Sequence, residues 1–125
     1  MTSISHSSLI AYMQTKPGTV LKYPFDPGLP VMYVGRKMFA ILGHTDGIAS
    51  ISLKADPDEA YLQRRQYPNA VFPGYHLNKR HWNTVVLNGG VPDDELLRFV
   101  DDSYLLVWKG LTRSEREQIP LNNYS

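Results

Sequence analysis

The chain has 125 residues, no cysteine and a formal net charge of +1. This length fits one domain with a substantial core, and the lack of cysteine excludes disulfides, thiolate nucleophiles and Cys-rich zinc sites. The small net charge excludes the strongly basic balance of many nucleic-acid binders, so any DNA binding has to come from a local patch. The sequence shows neither a signal peptide nor an apolar run of the ~20 residues that a membrane span needs, so we expect a cytoplasmic protein that does not contact membranes.

The N-terminal half predicts a short helix followed by β-structure. Ser3 or Ser5 can cap the helix, and a Pro-Gly pair ends it. Residues 19–55 are rich in β-branched and aromatic side chains and are interrupted by Gly and Pro, which predicts three or four antiparallel strands. We expect a tight hairpin at Gly35-Arg36 and a looser one over residues 43–47.

The C-terminal half predicts two helices that flank further β-structure. Asp56, followed by a proline, is expected to cap a helix that runs to about residue 67. We expect its core contacts to be Ala60, Tyr61, Leu62 and Tyr67. One or two strands follow, including the segment HWNTVVLNGG, which begins at His81. Pro92 then opens a helix whose apolar residues recur with a 3.6-residue period and which ends at Gly110.

The element order α-β-β-β-(β)-α-β-(β)-α predicts an α+β fold in which helices pack on one face of an antiparallel sheet. We assign residues 1–111 to a single domain. Residues 112–125 are expected to form a C-terminal tail with one helical turn and a frayed end.

The segment PGYHLNKRHWNTV, residues 73–85, concentrates cationic, amide and aromatic side chains. Lys79 and Arg80 could contact phosphates, and Asn78, Asn83 and His81 could donate or accept neutral hydrogen bonds. Trp82 is interpreted as a core residue rather than a stacking platform for bases. An alternative interpretation stays open, in which the segment only shapes an irregular connection and its charges face water.

Metal binding and catalysis find little support in the sequence. His76 and His81 are five positions apart, which matches neither the same-face spacing of a helix nor that of a strand, so we predict no metal site and no cofactor. The chain has no Gly-x-Ser-x-Gly elbow, P-loop or GxGxxG motif, so we predict that it is not an enzyme. A hydrolase or isomerase with His76 or His81 as its base would need a partner that the sequence does not reveal.

Four motifs resemble the MmcQ/YjbR family of small bacterial proteins: YPF (23–25), KMFA (37–40), SLKADP (52–57) and, above all, PGYHLNKRHWNTV (73–85). The resemblance spans residues 16–111. It implies a CyaY-like α+β fold with an antiparallel sheet and helices on one face. Members are described as DNA-binding proteins with a double-wing arrangement, and the resemblance implies no catalytic residue or cofactor.

Two functional hypotheses follow. In the first, a monomer binds double-stranded DNA weakly through a basic patch on the sheet and its loops, formed by Lys37, Lys54, Asn78, Lys79, Arg80 and His81. In the second, the open face of the sheet binds a protein or a small ligand in an apolar hollow lined by Tyr33, Phe39, Tyr75 or Trp82. A contiguous positive surface would favour the first hypothesis, and an apolar hollow would favour the second.

Overall fold

The computed structural model describes residues 4–74 and 77–121. Within these residues the chain forms four helices and one six-stranded sheet in the order β1-β2-β3-β4-β6-β5. Every adjacent pair of strands is antiparallel, which confirms the predicted α+β class. The elements in chain order are α1 (His6–Gln14), β1 (Thr19–Lys22), β2 (Val31–Val34), β3 (Lys37–Thr45), β4 (Ile48–Lys54), α2 (Pro57–Gln66), β5 (Val71–Pro73), β6 (Trp82–Val86), α3 (Asp93–Lys109) and α4 (Arg113–Gln118).

The core lies between one face of the sheet and helix α3, which packs across β2, β3 and β4. The 3.6-residue apolar period of α3 places its buried side chains on this side, as predicted, namely Leu96, Phe99, Val100, Tyr104 and Val107. Helix α1, capped by the Ser5 side chain, adds Leu9 and Met13 to the same core. The opposite face, which we call the open face, is therefore left without a covering helix among the described residues.

The two hairpins of the N-terminal half are both tight. Gly35 has a φ of +59° in the turn between β2 and β3, as expected from the sequence. The prediction of a looser hairpin over residues 43–47 was wrong, because Thr45 already pairs with Ile48. Asp46 (φ 50°) and Gly47 (φ 80°) both adopt the left-handed conformation that a two-residue hairpin turn requires, and Asp and Gly tolerate it well.

Helix α2 differs from its predicted form in two ways. Asp56 occupies the N-cap position, but its side chain makes no capping hydrogen bond. Tyr61 and Leu62 were predicted to be core contacts, yet each is 55% exposed. The buried residues of α2 are Ala60 and Gln63, because the helix packs on a polar position of the sheet rather than an apolar one.

The segment after Gly110 packs back onto the fold. Thr112 and Glu115 form a capping box at the start of α4, which is more than the single turn expected. The Ile119 side chain lies against Gly18, and the Ile119 carbonyl accepts a hydrogen bond from Trp108 Nε1 at 2.8 Å. No helix in the described part of the chain is long and apolar enough to span a membrane.

Candidate nucleic-acid interface

The connection between β5 and β6 is fixed by its own hydrogen bonds. Asn78 Oδ1 accepts from the Arg80 amide at 3.0 Å, and the Asn78 carbonyl accepts from the His81 amide at 3.1 Å. These bonds form a local turn of the kind that Asn favours. Asn78 therefore shapes the loop, and the exposed Lys79 and Arg80 lie at its tip.

The loop also contacts helix α2 and the end of β4. Arg64 Nη2 donates to the Lys79 carbonyl at 3.3 Å, which joins the C-terminal half of α2 to the loop. On the other side, the Ala55 amide donates to the His81 carbonyl at 2.8 Å, next to the register pair of Lys54 with Trp82. Three segments that are distant in sequence thus converge at one corner of the sheet.

These three segments carry four cationic residues, Lys54, Arg64, Lys79 and Arg80, which we call the corner patch. The ion pairs among the described residues are Lys16–Asp101, Arg36–Glu115, Glu95–Arg98 and Arg113–Glu117. No carboxylate within residues 4–74 and 77–121 therefore forms an ion pair with a member of the corner patch.

The structure gathers most of the residues singled out from the sequence but separates one. Lys54, Asn78, Lys79, Arg80 and His81 lie at the corner described above. Lys37 lies on the helix-covered face, where its Nζ donates to the Gly110 carbonyl at the C-terminal end of α3, 3.1 Å away. Arg64 was missed as a site residue, because its contact with the β5–β6 loop depends on the packing of α2 and is not visible in the sequence.

Tyr75 and His76, which the sequence also singled out, lie outside the described residues. Trp82 is 8% exposed, in agreement with its interpretation as a buried residue, and Phe39 is fully buried against Tyr104 on the helix-covered side. Within residues 4–74 and 77–121, no three His, Asp or Glu side chains come together in a way that could hold a metal ion.

A hollow of about 930 Å³ occupies the open face of the sheet. Its floor lies on β3, β4 and β6 and includes Ile41 together with the small or short side chains of Gly43, Ser50, Ser52 and Thr84. Larger side chains border it on two sides: Phe25 and Leu29 from the β1–β2 connection, and Phe72 and Leu77 from β5 and the β5–β6 loop. A hollow is thus present on the open face, but Tyr33, Phe39 and Trp82 do not line it, and Tyr75 lies outside the described residues.

The sequence of the chain is similar to those of known proteins. The chain is 33% identical over 103 residues to an uncharacterised protein of Escherichia coli O157:H7, YbdF, covering 82% of this chain and 84% of that protein. It is 37% identical over 98 residues to the uncharacterised protein YjbR of E. coli strain K12, covering 78% and 82% respectively.

Solved structures show the same fold. A crystal structure of the Deinococcus radiodurans protein DR2400, described as a DUF419 domain, matches with a TM-score of 0.84 and 37% identity, covering 91% of this chain and 88% of that one. A Pseudomonas syringae protein matches with a TM-score of 0.71 and 28% identity, covering 82% and 98%. The YjbR family model matches residues 14–106. The chain therefore belongs to the YjbR family.

Proposed function

We propose that this protein binds DNA through the corner patch, by contact with the phosphate backbone. The observation that carries the proposal is the hydrogen bond from Arg64 to the Lys79 carbonyl, because it brings the cations of α2 next to those of the β5–β6 loop. A cluster of cations without carboxylate partners attracts a polyanion even when the protein as a whole is nearly neutral.

The four cations have different chemistry. Arg80 makes no side-chain hydrogen bond to another described residue, so its whole guanidinium fork is available for a phosphate. Arg64 uses Nε and Nη2 on the carbonyls of Ala60 and Lys79, which leaves Nη1 for a ligand. Lys54 and Lys79 act as point charges. With so few cations, we expect affinity for duplex DNA on the order of micromolar at physiological salt.

Backbone contacts of this kind fix the position of the protein on DNA and carry no direct sequence information. We infer a monomer without a cofactor. The cysteine-free composition suits a reducing compartment and supports a cytoplasmic location, where DNA is accessible.

The test is a titration of labelled duplex DNA over a series of salt concentrations, starting at about 50 mM. If all four cations contact phosphates, the slope of log affinity against log salt should be about −4. Arg80→Ala and Lys79→Ala should each weaken binding. Each should also make the slope less steep by about one, from about −4 to about −3.

Arg113→Ala is the matched control, because Arg113 is an exposed arginine on α4 that pairs with Glu117. It should leave both the affinity and the slope unchanged. The proposal fails if duplex DNA does not bind at low salt, or if the control variant weakens binding as much as Arg80→Ala does.

A further inference from the structure

The hollow on the open face exists because small side chains occupy the centre of the sheet. Gly43 and Ser50 form one register pair between β3 and β4, and Ser52 pairs with Thr84 between β4 and β6. On the flanks, Leu29 comes close to Gly43, where an added Cβ would lie 3.4 Å from a Leu29 methyl group. The sequence thus places small residues at the floor and large apolar ones at the rim.

Two aromatic rings of the rim are incompletely buried. Phe25 is 61% exposed and Phe72 is 39% exposed, so neither contributes its full apolar area to the core. They lie on opposite flanks of the hollow, one from the β1–β2 connection and one from edge strand β5. Exposed aromatics at the border of a concave surface are typical of a binding site for a flat, apolar group.

The floor adds polar groups to this apolar border. The Ser52 and Thr84 hydroxyl oxygens are 2.8 Å apart and form one hydrogen bond with each other. Since only one of the two hydroxyl hydrogens is used in that bond, the pair retains one donor and several acceptor positions. The ligand that fits is therefore a flat ring with hydrogen-bonding groups on its edge.

The charges around the hollow differ between its two ends. Asp46 lies at the end formed by the β3–β4 turn. Lys54 lies at the other end of β4, and Leu77, which lines the hollow, is two positions before Lys79 in the loop of the corner patch. A ligand with an anionic group is therefore attracted to the loop end and repelled from the turn end.

We propose that the hollow binds an unpaired base of a DNA strand whose phosphates contact the corner patch. This inference rests on the proposed DNA binding and names the form of DNA that is preferred. Aromatic side chains stack on unpaired bases regardless of sequence, whereas bases within a duplex are already stacked and paired. A volume of about 930 Å³ is in the range of small-molecule sites and accommodates a nucleotide.

The experiment compares a single strand of about 12 nucleotides with the duplex of the same sequence, at low salt. We expect the single strand to bind about tenfold tighter or more, given the affinity that stacking of one or more bases adds. Phe25→Ala and Phe72→Ala should each weaken single-strand binding by about 5- to 100-fold while leaving duplex binding and the salt slope unchanged. A strand with abasic sites throughout should bind the wild type no better than the duplex.

Tyr23→Ala is the matched control, because Tyr23 is a 51% exposed aromatic in the same connection that does not line the hollow. Ser52→Phe tests the hollow in a second way, by filling it without removing either rim aromatic, and its folding is checked by thermal unfolding. Tyr23→Ala should bind the single strand with the affinity of the wild type. Ser52→Phe should bind it as weakly as Phe72→Ala does.

Failure of the base site and failure of DNA binding give different results. If Arg80→Ala weakens binding but the Phe25 and Phe72 variants do not, DNA binding stands and the base site is overturned. Equal affinity of the wild type for single strand and duplex also overturns it. If neither oligonucleotide binds, or if only free nucleosides bind, both proposals fail.

Discussion

Gln63 of α2 accepts a hydrogen bond from the side-chain amide of Asn83 on β6, with Asn83 Nδ2 3.1 Å from Gln63 Oε1. The same amide nitrogen donates to the Ala60 carbonyl at 3.0 Å. Asn83 is 1% exposed and Gln63 is 7% exposed, so both bonds are made away from water. This pair of amides joins α2 to β6 within the helical turn that also carries Arg64.

Removal of the Gln63 acceptor should lower the free energy of unfolding. Gln63→Ala leaves the buried Asn83 amide with one of its two hydrogen bonds, and a buried donor without a partner costs about 1–3 kcal/mol of the free energy of unfolding. Gln66→Ala, at an exposed position of the same helix, should change that free energy by less than about 0.5 kcal/mol. Urea unfolding of the three proteins measures both effects, and equal stability of Gln63→Ala and Gln66→Ala would contradict this account of α2.

Some features of the fold could be predicted from the sequence, and the contact between Gln63 and Asn83 could not. The strands, the hairpin at Gly35 and helix α3 follow from local periodicity and turn chemistry, which a single sequence contains. The burial of α2 does not, because Tyr61 and Leu62 are apolar and Gln63 is polar. Only the position of Asn83 on a strand distant in sequence makes Gln63 the buried residue.

Some residues of the candidate site could likewise be predicted from the sequence, and others could not. The composition of the β5–β6 loop indicated Lys79 and Arg80, since a dense run of cations and amides is visible in a short segment. Arg64 joins them through a contact between α2 and the loop, and Lys37 is separated from them because its Nζ donates to the Gly110 carbonyl at the C-terminal end of α3. The residues that line the hollow could not be predicted, because its floor combines residues from three strands, β3, β4 and β6.

An ion pair between a buried lysine and a partly exposed aspartate gives the second stability prediction. Lys16 is 5% exposed, and its Nζ lies 2.5 Å from Asp101 Oδ1, which also accepts a hydrogen bond from the Tyr12 hydroxyl at 2.7 Å. Asp101→Asn removes the carboxylate charge that pairs with Lys16, and the loss of a hydrogen bond between charged groups at a partly exposed aspartate costs about 1.5–3 kcal/mol. We expect a loss of this order in urea unfolding at neutral pH. A loss below about 1 kcal/mol, the range of exposed ion pairs, would show that the pair is solvated.

The charge of the neighbouring Asp102 should instead destabilise the folded protein at neutral pH. Partial loss of hydration raises the pKa of Asp102, and the carboxylates of Asp101, Glu59 and Glu95 raise this pKa further against the opposing effect of Arg98. A carboxyl group with a raised pKa binds its proton more tightly in the folded state than in the unfolded state. Its contribution to stability is therefore greatest at acidic pH and is lost as the pH rises through the pKa of the folded state.

Asp102→Asn should consequently raise the urea midpoint at neutral pH, because it removes a charge that the folded state disfavours. The gain should shrink as the pH falls through the raised pKa of Asp102, and it should vanish below the pKa of the unfolded chain, where both states are protonated. Unfolding curves of the wild type and the variant over a pH series test this. A variant that is less stable than the wild type at neutral pH, or a gain that persists in acid, would contradict a raised pKa of Asp102.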